Sequence, residues 1–298
     1  MQRLLKFYID NEEPIIFGSS PFFFDSIEGL SDSENELATY TTILTDGVKY
    51  SGSLLTERNI IINGRIRGNT REEAFKHRRH LIKMCNSKRG LGKLVLAYPN
   101  GEEYYIEAVA NGGVKIIENN TSSMPSNVFE YSITFTCPDP YWRQEAVYST
   151  HFSQVIPSFE FELEIDLDDS DSMKFGEVYH SHNTIIDNKG DAPSGFTCIA
   201  KGKITDYFIL KNLDTGDFIR FERDFSNVTS IEIYSHQGNK KVFFNYSNGT
   251  RENALKYLDL DSRFFYLKAG ENKLQFETNS RDVDLEVEIS HNNLYVGL

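Results

Sequence analysis

Only a few groups of side chains in this sequence have the types and spacing that chemistry uses. Asp166, Asp168 and Ser170, with Glu177 eleven positions after Asp166, follow the oxygen-ligand spacing of a calcium-binding loop. Asp171 stands where such a loop needs glycine, and the flanks read as strand instead of helix, so the match is partial. His77 and His80 lie three apart on an expected helix, where no carboxylate or third histidine joins them, and metal binding is not expected. His180 and His182 share one side of an extended stretch and read as solvated. From Arg58 to Lys93 there are 11 Lys and Arg against Glu72 and Glu73, a balance of +9. Such a run is a phosphate surface, a solvated helix face, or a cationic surface that meets an acidic neighbour. No G-x-S-x-G elbow, phosphate loop or zinc signature occurs, and the carboxylates are too many for one glycosidase pair to stand out. The sequence thus assembles no catalytic constellation and calls for no cofactor and no metal.

Composition narrows the classes further. The chain has 298 residues, enough for two domains of roughly 150 residues. Its 22 Phe and 16 Tyr favour sheet over helix bundle. A net charge of −13 argues against nucleic acid, which needs a basic footprint. No apolar run approaches the ~18 residues of a membrane span, and residues 1–10 lack the features of a signal peptide. Cys85, Cys137 and Cys198 are odd in number and far apart, which suits a reducing compartment and gives no disulfide framework.

The elements that would position these residues are mostly strands. Residues 3–9 and 14–17 read as a hairpin, and 21–27 as a further apolar strand. Residues 39–45 and 48–55 flank Asp46-Gly47, a two-residue hairpin signal. That hairpin is rich in Thr, Ser and Tyr, so it reads as an arm that packs on a partner or as an exposed edge. A strand over 58–67 precedes the one expected helix, about 71–86, with Thr70 and Glu73 spaced as a capping box. Ala74, Phe75, Leu81, Ile82 and Cys85 are its expected buried stripe, opposite Lys76, Arg79 and Lys83. Residues 93–98 and 102–110 form a hairpin around Pro99-Asn100-Gly101, residues 114–118 continue the sheet, and 128–136 closes it. One helix set among hairpins means an α+β half.

Cys137-Pro138-Asp139-Pro140-Tyr141-Trp142 follows. Pro138 and Pro140 cannot donate to a ladder, and each biases the residue before it to extended geometry. The run reads as a stiff joint that Tyr141 and Trp142 anchor. Beyond it, residues 159–168 alternate apolar and acidic. From 184 onwards short strands recur at the spacing of a sandwich: 196–200, 207–210, 218–222, 231–235, 242–245, 264–267, 273–277, 283–289 and 294–296. Tyr207, Tyr234 and Tyr246 are aromatics that stack on sugars or pair across strands. No polar and aromatic sugar site can be assembled from sequence order alone.

A strand ending in Cys-Pro-Asp-Pro-Tyr-Trp, after a β-rich half with one helix, resembles the distal tail proteins of long-tailed bacteriophages. Asn188-Lys189-Gly190-Asp191-Ala192-Pro193, the run from Phe264 to Asn272 and the closing Leu294-Tyr295-Val296-Gly297-Leu298 are similar to that family's galectin-like C-terminal domain. The resemblance implies a mainly β chain: a split β-barrel with one helix over 1–142, an extension over 143–183, and a galectin-like β-sandwich over 184–298. It implies a structural hub and not an enzyme. A homo-hexameric ring at the virion tail tip would join the tail-tube protein to the tail-tip, lysin or baseplate protein, after assembly in the bacterial host cytoplasm. The alternative is a carbohydrate-binding adsorption module acting through the sandwich. Pro138, Asp139, Pro140, Tyr141 and Trp142 are the expected interdomain joint. Arg78, Arg79, Asp46 and Gly47 are the expected subunit interface, because the rest of residues 1–142 carries 4 Lys and Arg against 16 Asp and Glu, or −12.

Overall fold

The computed structural model describes residues 3–10, 12–43, 46–117, 125, 127–144, 147–153, 180–202, 204, 206–278 and 285–298. The acidic strand expected over 159–168 and the calcium-like residues Asp166, Asp168, Ser170 and Glu177 lie outside them. The chain divides into two units, residues 1–145 with 294–298, and residues 146–293.

The first unit contains β1 (Leu4–Tyr8), β2 (Ile15–Phe17), β3 (Phe22–Glu28), β4 (Asn35–Tyr40), β5 (Lys49–Leu55) and β6 (Arg58–Arg67). α1 (Arg71–Met84), β7 (Gly92–Ala97), β8 (Glu103–Ile117), β9 (Val128–Cys137), β10 (Trp142–Gln144) and β21 (Leu294–Tyr295) complete it. The order β8-β7-β1-β2-β3-β6-β9, with β9 pairing back onto β8, closes seven strands on themselves. Alternation drives this. In β6, Ile60, Ile62 and Ile66 point inward, and in β9 Tyr131, Ile133 and Phe135 do, all essentially without solvent exposure. Burying each such side chain contributes about 1.5–3 kcal/mol. β8 is long enough to serve β7 with its first half and β9 with its second, because Gly112 and Gly113, at φ +72 and +74, absorb a bulge between them.

α1 packs over β6, β8 and β9. Its cap departs slightly from the expected box. Thr70 Oγ1 accepts from Glu73 N at 3.2 Å, but Glu73 Oε2 accepts from Asn69 N, one residue earlier than the box requires. Ala74, Leu81, Met84 and Cys85 are buried. Phe75, expected in that stripe, is 42% exposed, because it lies a helical step off the buried line and meets Phe129 edge-on at the rim. His77, expected without a carboxylate, has Glu73 Oε1 at 3.5 Å, since the two lie one helical turn apart.

Among the described residues, β4 and β5 pair only with each other. Asp46-Gly47 is not a two-residue turn: pairing stops at Tyr40↔Lys49, so the connection runs from 41 to 48. A bulge between Ala38 and Thr39 shifts the register ahead of it, and register determines which residues are left to turn.

The second unit holds β11 (Tyr148–Ser153), β12 (His180–Asn188), β13 (Phe196–Lys201), β14 (Tyr207–Asn212) and β15 (Phe218–Glu222). β16 (Val228–His236), β17 (Asn239–Tyr246), β18 (Arg251–Asn253), β19 (Gly270–Thr278) and β20 (Glu286–His291) follow. A six-stranded sheet, β11-β20-β13-β16-β17-β18, and a four-stranded sheet, β12-β19-β14-β15, are antiparallel throughout and share one core containing Phe196, Phe208, Phe221, Phe244 and Phe276. That is a β-sandwich. Buried Asn188 ties its own turn together, donating to the carbonyls of Ala192 and Leu267, both at 3.0 Å, and accepting from Gly190 N.

Three sequence-based placements differ from this arrangement. Residues 264–267 contribute only an isolated bridge, Ser194↔Leu267. The stretch 143–183 is not all linker, since β11 completes an edge of the six-stranded sheet against β20 and β12 begins at His180. Residues 294–298 do not close the sandwich. They return to the first unit, where β21 pairs with β10.

Candidate assembly interface

The joint is built into the first unit by Arg58. This residue sits in the inward register of β6, in line with Ile60 and Ile62, and is fully buried. Its guanidinium finds no carboxylate there. It donates instead to backbone carbonyls: Nε to Pro140 at 2.8 Å, Nη1 to Gly29 at 2.8 Å and to Leu30 and Asp32, and Nη2 to Val296. Burial lowers its pKa, but a guanidinium stays protonated in proteins. Trp142, also without solvent exposure, donates its indole N–H to Leu30 O at 3.1 Å. Asp139 Oδ1 accepts from Tyr141 N at 3.2 Å, and its Oδ2 pairs with Arg143 at 2.6 Å. Gly297 passes so close to the 29–32 loop that an added Cβ would stand 2.3 Å from Ser31 O. Residues 29–32, 138–142 and 294–298 therefore converge as one knot on a single buried guanidinium.

The residues expected at the subunit interface are spread over two exposed features. Asp46 and Gly47 lie in the exposed connection at the tip of the β4–β5 arm. The arm is apolar as well as polar: Leu37, Tyr40, Ile43, Val48, Tyr50 and Leu54 are all more than half exposed. Such two-stranded ribbons are marginal in water by themselves. Arg78 and Arg79 lie on α1, Arg79 exposed and Arg78 resting over the rings of Phe75 and Phe129 at 5.8 and 5.5 Å.

The +9 run disperses in three dimensions. Arg58 is buried, Arg65 pairs with Asp25, Lys83 with Glu12, and Arg89 with Asp10 and Glu12. Hydrogen bonds from Lys83 and Arg89 hold the Glu12 carboxyl below its ordinary range. Arg71, Lys76, Arg78 and Arg79 all lie on α1. Among the described residues no group of three His, Cys, Asp or Glu could hold a metal ion, and no helix is long and apolar enough to cross a membrane. Cys85, Cys137 and Cys198 are buried free thiols, each pushed up to about 12 by desolvation.

Sequence reasoning missed Arg58, although a charged residue in register with Ile60, Ile62 and Ile66 was a usable signal. It also missed the return of the last five residues, for which no local signal exists.

Comparison with known proteins gives this architecture a family. Residues 13–137 match the family model of the phage tail protein RIFT-related domain, and residues 189–295 match that of the siphovirus-type tail component, C-terminal domain. The chain belongs to the distal tail proteins of siphophages. The Dit protein of phage SPP1, described as a paradigm of the hub adsorption apparatus in phages infecting Gram-positive bacteria, shares the fold of this distal tail protein. The two align with a TM-score of 0.65 at 12% identity, over 96% of this chain and 98% of that one. A chain of the phage P2 baseplate in its activated conformation with calcium aligns with a TM-score of 0.51 at 11% identity, over 100% of both chains. No curated protein matches the sequence. The knot around Arg58 lies where the first matched domain ends.

Proposed function

We propose that this tail component is the structural hub of a siphophage tail tip: a homo-hexameric ring, formed through its first unit, that joins the tail-tube protein to the tail-tip, lysin or baseplate protein. The subunits assemble in the bacterial host cytoplasm, and the chain is not an enzyme. The observation that carries the ring is the β4–β5 arm. Six large side chains on one ribbon face solvent, and among the described residues no other strand pairs with it. A neighbouring copy that covers them supplies the burial that the isolated ribbon lacks. A head-to-tail ring sets two different surfaces of one subunit against each other, so the cationic face of α1 meets an acidic surface of the next copy. The family match over both units supports the hub role, as does the shared fold with the SPP1 protein, itself described as a hub.

Mass by light scattering, with electron microscopy of the same sample, tests the proposal. A closed ring of about six copies is expected. A protein that stays monomeric at high concentration overturns the ring. Reversing Arg78 and Arg79 to Glu should slow assembly at low salt and have little effect at high salt, because screened charges steer encounter more than they hold a contact. Assembly at the wild-type rate would remove electrostatics from the account.

A further inference from the structure

The outer wall formed by β1, β7 and β8 carries an open cleft of about 400 Å³. Its position follows from register. Tyr8, Lys93 and Glu107 stand side by side on the three strands, while Phe7, Leu94 and Ile106 next to them point inward and are buried. The Lys93 ammonium lies over the Tyr105 ring at 4.2 Å, which leaves Leu91, 55% exposed, and Tyr8, 37% exposed, as the open apolar surface. The rim is fixed in place. Arg89 bonds Asp10 and Glu12, each at 2.8 Å, and Lys83 reaches Glu12 at 3.1 Å, so the turn after β1 is pinned. β7 lies so close to β1 that a Cβ added at Gly92 would stand 2.6 Å from Tyr8 O. Asp10 and Glu12 are thus already paired. Glu107 is exposed and has no hydrogen bond or ion pair among the described residues.

The β4–β5 arm offers the complementary set. Tyr40 and Lys49 are register partners, so they project from one face of the ribbon, and Leu54 shares that face. Tyr40 and Leu54 are more than half exposed. Lys49 is the only Lys or Arg between residues 27 and 57, and it too has no hydrogen bond or ion pair among the described residues. Within one copy the cleft and the arm are both bare, so the arm does not fill the cleft of its own chain.

We infer that this cleft is the receptor for the arm of a second copy of the chain, with Lys49 of one copy meeting Glu107 of the next and Tyr40 covering Tyr8 and Leu91. The inference rests on the ring reading and adds the receiving surface, which that reading leaves open. Burial of apolar side chains supplies the strength of the contact. The ion pair is exposed at the rim and contributes little strength, but it fixes which part of the arm enters. Like charge keeps Lys49 away from α1, where Arg71, Lys76, Arg78 and Arg79 lie. A rim ordered before the arm arrives loses little freedom on binding.

Charge reversal in the whole protein tests the pairing, with mass read by light scattering over a dilution series. Lys49→Glu and Glu107→Lys should each raise the concentration needed for assembly about tenfold, because like charges then face each other. Both residues are exposed, so the thermal transition of the monomer should not move. The double variant should assemble as the wild type does. So should an equimolar mixture of the two single variants, because in a head-to-tail ring of even number the two kinds of copy can alternate and every contact then pairs opposite charges. As a second measurement, Lys49→Cys combined with Glu107→Cys should give a ladder of covalent oligomers with a short bismaleimide, since Cys85, Cys137 and Cys198 are buried. Single reversals that assemble like the wild type, a loss that neither the double variant nor the mixture restores, or a wild-type ring without the covalent ladder would each overturn the cleft as receptor and leave the ring standing. A monomeric wild type would overturn both.

Discussion

The side chain of Arg58 donates its Nε–H to the carbonyl of Pro140 at 2.8 Å, in the interior of the first unit. That bond turns a stretch that reads as a linker into part of a core. The same guanidinium reaches Gly29, Leu30, Asp32 and Val296, so one residue holds three chain segments that are remote in sequence.

Arg58→Met should therefore destabilise the first unit by about 3–5 kcal/mol, because it leaves several buried carbonyls without donors. Denaturation of the whole chain would show the first unit unfolding earlier while the second keeps its midpoint. A shift below about 0.5 kcal/mol, the scale of a neutral surface change, would show that the knot contributes nothing.

Cutting the chain tests the return of the last five residues. A fragment of residues 1–145 lacks β21 and the Val296 carbonyl and should melt lower than the same fragment with residues 294–298 rejoined through a short Gly/Ser linker. Residues 146–293 should melt cooperatively alone. Residues 184–298 should not match them, since they lack β11, the partner of β20. Equal midpoints for the two first-unit fragments would contradict the role assigned to β21.

On the arm, Leu37→Ser, Ile43→Ser and Leu54→Ser together remove apolar surface that is already exposed. Thermal stability of the monomer should change by no more than about 0.5 kcal/mol per site, while light scattering should show loss of the ring. A triple variant with wild-type mass would move the interface elsewhere.

His291 gives the second unit a pH dependence. It is almost fully buried, neither ring nitrogen meets hydrogen-bond geometry, and the Tyr148 ring lies 5.8 Å away. Burial lowers its pKa, partly countered by Asp187 and Asn293. The unfolded chain, with an ordinary histidine near about 6.5, then binds the proton first. Its contribution to stability is present above about pH 6.5 and is lost as pH falls from there towards the lower folded value. Melting of residues 146–293 between about pH 7.5 and 5 should show this decline, and His291→Phe should flatten it. An unchanged slope in the variant would assign the effect to other groups.

The local features of this protein were legible in its sequence. The inward Ile and Phe residues of β6 and β9 follow from period-two alternation, and the start of α1 follows from Thr70 and Glu73. The turn at Pro99-Asn100-Gly101 follows from residues that tolerate its backbone. Each of these depends on neighbours a few positions away. Tertiary structure alone decided the rest. Pairing of β4 with β5 turned Asp46-Gly47 from a tight turn into part of a longer connection, because register belongs to two strands jointly. Asp10, Glu12 and Asp25 dispersed a charge run that looked continuous along the chain. Tyr8, Lys93 and Glu107 became neighbours only when β1, β7 and β8 lay side by side. Arg58 and Val296 are 238 positions apart, and only a closed barrel with its interior short of donors brings a carbonyl at one end of the chain to a guanidinium near the other.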